Sequence, residues 1–212
     1  VLALSSEDLA RLGDAARSGN GLPLSEVRLA PPLHDPPKIL CIGLNYRDHA
    51  EETKQEAPTT PIVFAKFATS LIADGDAIEL PPSNPDMVDW EGELAVVIGR
   101  RARRVAEAEA RDYGAGYMPF NDVSGRVLQI ASPQWTMGKG FDTSGPCGPA
   151  LVLADAVDDP QALQLRTILN GEIVQEASTA SMIFSVARLI AYLSSLITLE
   201  VGDIIATGTP SG

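Results

Sequence analysis

The chain has 212 residues, 45% of them hydrophobic and 21% charged, so its composition favours a globular domain with a buried core over a disordered or fibrous chain. No apolar run reaches the roughly 18–20 residues of a membrane-spanning helix, and the first residues lack the features of a signal peptide. The net charge of −12 argues against nucleic acid and membrane surfaces as partners. We therefore expect a cytoplasmic protein, and a small anionic substrate is compatible with this charge if a metal ion dominates its pocket.

The first 36 residues are predicted to form a small N-terminal segment and linker. Ser5 to Asp8 offer capping residues ahead of a short amphipathic helix, and four prolines between Pro31 and Pro37 then interrupt the chain. Residues 37–212 are predicted to form the main, catalytic domain. Because the chain starts at a valine and stops in the turn-like sequence TGTPSG, we expect the natural protein to extend beyond it.

Short strands outnumber helices along the main domain. Helices are predicted over 45–54, 105–112 and 182–195, and 116–123 is predicted to be a loop or a short strand. Since strands and helices do not alternate, the pattern favours an α+β fold with a large, mostly antiparallel sheet system over a doubly wound sheet or a β/α barrel. The strands are predicted over 38–43, 62–66, 76–82, 91–98, 149–153, 165–169 and 203–206.

An acidic segment precedes the apolar run of the strand predicted over 91–98. Asp89, Glu91 and Glu93 alternate along the chain, so in a strand they would share one face. Parallel carboxylates repel each other and attract a hard cation such as Mg²⁺, Mn²⁺ or Ca²⁺. The pattern alone equally fits a solvated face of an edge strand.

His49 and Glu52 stand three residues apart in the helix predicted over 45–54 and can therefore touch. A carboxylate beside an imidazole orients it and raises its basicity, which suits a general base. The alternative is a surface histidine with an incidental acidic neighbour.

Two further segments carry candidate ligands. Asp122 could bind a metal, and Arg126 and Gln129 could hold a substrate carboxylate; alternatively this segment is a turn bonded to its own backbone. Lys139 stands between glycines and could approach a ligand closely, or be an exposed loop lysine. The GKGFDT sequence lacks the spacing of a nucleotide-binding phosphate loop.

Cys41 and Cys147 form no metal-type cluster and are predicted to be reduced, partly buried thiols.

In order and spacing, five stretches together resemble the fumarylacetoacetate hydrolase family. The resemblance implies a β-rich roll of mostly antiparallel and mixed sheets with flanking helices, usually a homodimer. It also implies Mg²⁺ or Mn²⁺, with Ca²⁺ as a substitute in crystals, bound by Glu91, Glu93 and Asp122; Asp89 then has a supporting role. The stretches are IGLNYRDHAEE (42–52), VDWEGELAVVIG (88–99), GYMPFNDVSGRVLQ (116–129), WTMGKGFDTSGPCGP (135–149) and TLEVGDIIATGTPSG (198–212).

The resemblance also implies roles around a small oxo-acid substrate. His49 and Glu52 would activate water from a helix that acts as a lid, and Lys139 would stabilise an enolate. Arg126, Gln129 and Thr209 would hold the oxo-acid end. The reaction implied first is hydrolysis of a C–C bond in an acylpyruvate. Oxaloacetate decarboxylation, isomerisation of hydroxy-diacids and ureidoglycolate lyase chemistry are alternative reactions on the same scaffold. A further alternative is an inactive family member that binds a metal.

Overall fold

The computed structural model describes residues 5–19 and 21–212, and its largest element is a six-stranded mixed sheet. The strand pair β1–β12 is parallel, and the other neighbours are antiparallel. In their order across the sheet, with numbers given in chain order, the strands are Ile62–Lys66 (β2), Ile39–Gly43 (β1), Ile204–Ala206 (β12), Gly92–Ile98 (β5), Gly114–Asn121 (β6) and Val152–Leu153 (β9).

Three two-stranded sheets and five helices complete the described chain. The small sheets pair Leu71–Ile72 (β3) with Gly145–Pro146 (β8), Val88–Asp89 (β4) with Ser124–Gly125 (β7), and Gln164–Leu169 (β10) with Glu172–Ser178 (β11). The helices are Ser6–Ser18 (α1), Arg47–Glu52 (α2), Arg126–Ile130 (α3), Thr136–Lys139 (α4) and Val186–Leu196 (α5). No helix in these residues is long and apolar enough to cross a membrane.

Both faces of the central sheet are covered, which explains why its strands are almost continuously apolar. On one face, alternate residues of β1, β5 and β12 join a cluster with α5. The opposite residues pack in a second cluster with β6 and Cys147. The predicted apolar side of the 182–195 helix is confirmed, because its predicted residues are all buried in the first cluster: Val186, Leu189, Ile190 and Leu193.

The sheet-dominated α+β fold predicted from the sequence is confirmed, but several elements differ. The strand predicted over 76–82 is wrong. That segment is irregular and mostly exposed, and its Glu79 amide donates to Thr143 Oγ1 at 2.8 Å rather than to a neighbouring strand. A two-residue strand forms upstream at Leu71–Ile72 instead. The helix predicted over 105–112 is a 3₁₀ segment, Glu107–Tyr113.

Other differences concern the neighbourhood of the candidate residues. The segment 116–123, predicted as a loop or short strand, belongs mainly to the eight-residue strand β6. The predicted helix 45–54 is shortened to α2, because the buried Asn45 side chain bonds the backbone of Phe184 instead of continuing a helix. Strand β11 was not predicted from the sequence, and it pairs with β10 as a hairpin.

Candidate active site

Three carboxylates lie together where β5 begins and β6 ends. Glu91 directly precedes β5, Glu93 is its second residue, and Asp122 follows β6, whose Asn121 is paired with Gly92. All three residues are buried, and one oxygen from each lies within 4.8 Å of the others. The antiparallel pairing of β5 with β6 thus brings residues about 30 positions apart into one acidic cluster.

Glu93 has the environment that a cation would satisfy. Its Oε2 accepts a hydrogen bond from the Gly208 amide at 2.8 Å, whereas its buried Oε1 has no hydrogen-bond partner among the described residues. Burial, together with the charges of Asp122 and Glu91, raises the pKa of Glu93 well above its usual range. An unpaired buried oxygen inside a set of hard oxygen donors fits a divalent ion such as Mg²⁺ or Mn²⁺.

Two buried lysines bond the same cluster from different sides. Lys139 Nζ donates to Glu91 Oε2 at 2.7 Å and to Asp122 Oδ2 at 2.9 Å. Lys66 Nζ donates to the other oxygen of Asp122, Oδ1, at 2.8 Å. Burial opposes ionisation of Asp122, but the charges of Lys139 and Lys66 outweigh it and lower the pKa of this carboxyl. Lys139 is therefore not an exposed loop lysine, and its pKa is raised by Asp122 and Glu91 despite burial.

Arg126 connects the cluster to Asp89. Its Nη1 donates to Glu91 Oε1 at 2.7 Å and to Gln129 Oε1 at 2.9 Å, while Nε and Nη2 both donate to Asp89 Oδ2. The strand alternation that put Asp89 on one face with Glu91 and Glu93 is wrong, because β4 ends at Asp89 and β5 begins only at Gly92. Asp89 instead balances the charge of Arg126.

The predicted pair on α2 is present. His49 Nδ1 lies 3.2 Å from Glu52 Oε2, and the two residues border the same cleft as Glu91 and Lys139. This cleft has a volume of about 650 Å³. Its apolar side includes Phe64 and Trp135, whose rings meet edge to face with centroids 5.4 Å apart, and the polar side carries the candidate residues His49, Glu52, Glu91, Arg126, Gln129, Lys139 and Thr209.

Thr209 lines the cleft, but its hydroxyl is engaged on both sides. It donates to the Gly92 carbonyl at 2.9 Å and accepts from Gln175 Nε2 at 2.9 Å. Gln175 lies on β11, 34 positions before Thr209, so short-range sequence patterns could not predict this hydrogen bond. The structure brings together all nine candidate residues: seven border the cleft, while Glu93 and Asp122 join Glu91 in the acidic cluster.

The family profile described as fumarylacetoacetate (FAA) hydrolase C-terminal matches residues 38–212. The chain is 44% identical over 193 residues to the protein named oxaloacetate tautomerase FAHD2A, mitochondrial, from Homo sapiens, covering 90% of this chain and 61% of that one. The chain thus spans about three fifths of that relative's length.

Solved structures agree with the sequence match. The 5-carboxymethyl-2-hydroxymuconate delta-isomerase from Mycobacterium smegmatis is 40% identical with a TM-score of 0.82, covering 92% of this chain and 76% of that one. Maleylpyruvate hydrolase from Sphingobium sp. SYK-6, solved with manganese(II) and pyruvate, is 32% identical with a TM-score of 0.84, covering 97% of this chain and 72% of that one.

Proposed function

Since this chain belongs to the fumarylacetoacetate hydrolase family, whose named members here are enzymes, we propose that it is a divalent-metal-dependent enzyme that hydrolyses a C–C bond of an acylpyruvate. The observation that carries the proposal is one cleft bordered by Glu91 of the acidic cluster, by Lys139 and by the His49–Glu52 pair. An inactive member would have no need of a base–carboxylate pair at the mouth of a cation site.

Glu91, Glu93 and Asp122 would hold the ion, which we propose to be Mg²⁺ or Mn²⁺. The chemistry that such an ion supplies when bound is stabilisation of negative charge on the carboxylate and adjacent oxo oxygen of a 2-oxo acid. The related maleylpyruvate hydrolase, solved with manganese(II) and pyruvate, supports this choice of ion and substrate end.

His49 and Glu52 would supply the base. The Glu52 carboxylate would accept a hydrogen bond from the Nδ1–H of His49, which holds the tautomer whose Nε2 can take a proton from water. The resulting hydroxide attacks the distal carbonyl of the acylpyruvate, and cleavage yields a carboxylic acid and the enolate of pyruvate. The Lys139 ammonium, aimed into the cluster, stabilises the developing negative charge.

Arg126, Gln129 and Thr209 would orient the oxo-acid end of the substrate. Arg126 is fixed on the wall of the cleft by Asp89, Glu91 and Gln129, so the second N–H of its Nη2 and the Gln129 amide nitrogen would be the donors for a carboxylate. Helix α2 would act as a lid that excludes bulk water when it closes. A homodimeric state, a cytoplasmic location and the absence of nucleic-acid or membrane partners stay predictions.

The second candidate is keto–enol tautomerisation of a 2-oxo diacid such as oxaloacetate. It is favoured by the 44% identity to a protein named oxaloacetate tautomerase. This reaction also needs a base, but no water attacks a carbon atom. The two candidates therefore share His49 and differ in whether pyruvate is released. Decarboxylation, diacid isomerisation and lyase chemistry are the further reactions to be compared.

A substrate panel tests the proposal. We expect pyruvate release from at least one acylpyruvate with Mn²⁺ or Mg²⁺, its loss with EDTA, and a decrease of about 10²–10⁴-fold in His49→Ala. Mn²⁺ binding by His49→Ala should stay at the wild-type level, because His49 is outside the acidic cluster. Background hydrolysis of every acylpyruvate alongside rapid, EDTA-sensitive loss of enol-oxaloacetate absorbance would reject the hydrolase and support the tautomerase.

A further inference from the structure

Lys66 is a buried cation that the catalytic scheme above does not use. It ends strand β2, and its side chain is fully buried beside the equally buried carboxylate of Asp122. Removing an ammonium group from water is costly unless its donors are bonded and its charge is balanced. A lysine at this position therefore calls for a specific role.

The three acceptors of Lys66 lie on segments that carry the active site. Its Nζ donates to Asp122 Oδ1 at 2.8 Å, to the Val123 carbonyl at 3.4 Å and to the backbone carbonyl of Lys139. The same carbonyl accepts from Ser144 Oγ at 2.9 Å. Lys66 thus ties the turn after β6 to the last residue of α4.

The two lysines bond different oxygens of the Asp122 carboxylate. Lys139 donates to Oδ2, the oxygen on the side of Glu91, and lies in the wall of the cleft. Lys66 donates to Oδ1 and does not border the cleft. Lys66 therefore has no route to the substrate, and any effect on the reaction must pass through Asp122 and Lys139.

We propose that Lys66 is a positioning residue, which fixes both the direction of the Asp122 carboxylate and the end of α4 so that the cation site is formed before the ion arrives. This inference rests on the proposed function, since it assigns Asp122 to the metal. Without Lys66, Asp122 Oδ1 loses its donor among the described residues, and the carboxylate is free to turn both oxygens toward Lys139.

Electrostatics alone predicts that removal of Lys66 changes the affinity for a cation in the opposite direction, which makes the proposal testable. Lys66 is positive and close to the cluster, so its removal alone should strengthen the binding of a second cation. Loss of an outer hydrogen-bond partner that orients a metal ligand instead weakens binding, typically about 10–100-fold. If positioning dominates, Lys66→Met weakens Mn²⁺ binding.

The experiment is a Mn²⁺ titration of the full chain, followed by electron paramagnetic resonance of the free ion, for wild type, Lys66→Met and Lys66→Gln. We expect an approximately 10–100-fold higher Kd in Lys66→Met and a smaller increase in Lys66→Gln, which keeps an N–H donor without the charge. Circular dichroism establishes that each variant is folded; if Lys66→Met does not fold, Lys66→Gln alone decides by the same criterion.

Lys38→Met is the matched control. Lys38 Nζ lies 2.7 Å from the fully buried carboxylate of Asp203, directly before strands β1 and β12 and outside the cleft and the acidic cluster. Its removal should lower the unfolding temperature and leave the Mn²⁺ Kd unchanged.

A double variant tests whether Lys66 acts through Asp122. In Asp122→Asn, further substitution of Lys66 by Met should change the Mn²⁺ Kd much less than it does in the wild type, because the two residues act together.

An equal or lower Kd in Lys66→Met would overturn the positioning role while leaving the proposed function intact. Failure of the wild type to bind Mn²⁺ at all would overturn the metal-dependent function itself. A lower unfolding temperature with wild-type Kd, as expected for the Lys38 control, would assign Lys66 to stability alone.

Discussion

At the scale of single residues, the proposed metal ligand Glu93 also affects folding stability. Its pKa is raised in the folded chain by burial and by the charges of Asp122 and Glu91. The folded state therefore holds this proton more tightly than the unfolded state does. The resulting stabilisation is complete below the ordinary pKa of a glutamic acid, and it is lost as the pH rises through the raised, folded-state pKa.

Replacement of Glu93 by Gln should remove this pH-dependent loss. In EDTA, we expect Glu93→Gln to gain stability relative to the wild type as the pH increases above about 4.5, because its amide carries no charge to bury. Urea unfolding between pH 5 and 8 measures the difference. With Mn²⁺ present, the order should reverse, since the variant lacks one of three ligands. If the free energies of unfolding of Glu93→Gln and wild type in EDTA differ by the same amount across this pH range, Glu93 does not titrate as described.

Short-range spacing predicted some of the site residues but not others. His49 and Glu52 are neighbours because of helical spacing, which a sequence displays directly. Lys66 looked like an ordinary strand residue, because its burial depends on Asp122, 56 positions later in the chain. Asp89 was misplaced for the opposite reason: alternation assumes an unbroken strand, and the break between β4 and β5 cannot be seen in the sequence.

At the scale of elements, Asn45 joins three parts of the chain next to the cleft. Its Nδ2 donates to the Thr207 carbonyl at 2.7 Å and to the Phe184 carbonyl at 3.0 Å, and its Oδ1 accepts from the Phe184 amide at 2.7 Å. Asn45 is fully buried. It therefore connects the end of β1 to the segment before α5 and to the end of β12.

Asn45→Ala should be strongly destabilising, because buried backbone groups at Phe184 and Thr207 lose their partner. We expect a decrease of about 3 kcal/mol in the free energy of unfolding, from roughly 1–3 kcal/mol for each buried polar group left unpaired. Urea denaturation measures it. Gln164→Ala, at an exposed position of β10, should change stability by less than about 0.5 kcal/mol. Similar values for the two variants would contradict the role of Asn45.

The elements that the sequence predicted well are those with continuous apolar composition. Strands β1 and β12 and the apolar side of α5 match because burial determines both their sequence and their structure. The segment 76–82 contains apolar residues typical of a strand but has no partner strand among the described residues, so tertiary pairing decided against it. Strand β11 was not predicted because its exposed, charged residues lack the apolar pattern of a strand. Pairing with β10 stabilises it instead.

At the scale of the whole molecule, an ion that binds only the folded chain must stabilise it. At a free Mn²⁺ concentration 100 times the Kd, the gain is about 2.7 kcal/mol, or roughly 5–10 °C in unfolding temperature for a chain of this size. Differential scanning calorimetry with Mn²⁺ and with EDTA measures this shift. Glu93→Gln, which lacks a ligand, should show little or none. A shift of equal size in that variant would place the binding elsewhere.

Strand β12 occupies the middle of the central sheet, between β1 and β5, although it is the last strand along the described chain. The Gly208 amide that bonds Glu93 follows directly after it. During synthesis, Glu93 therefore emerges more than a hundred positions before the strand that completes its surroundings. The nascent chain has scattered carboxylates without a formed site, so on the proposed function it should not compete for divalent ions. Only the folded protein should draw on that supply, and acquisition of the proposed ion would then be a late step in its biogenesis.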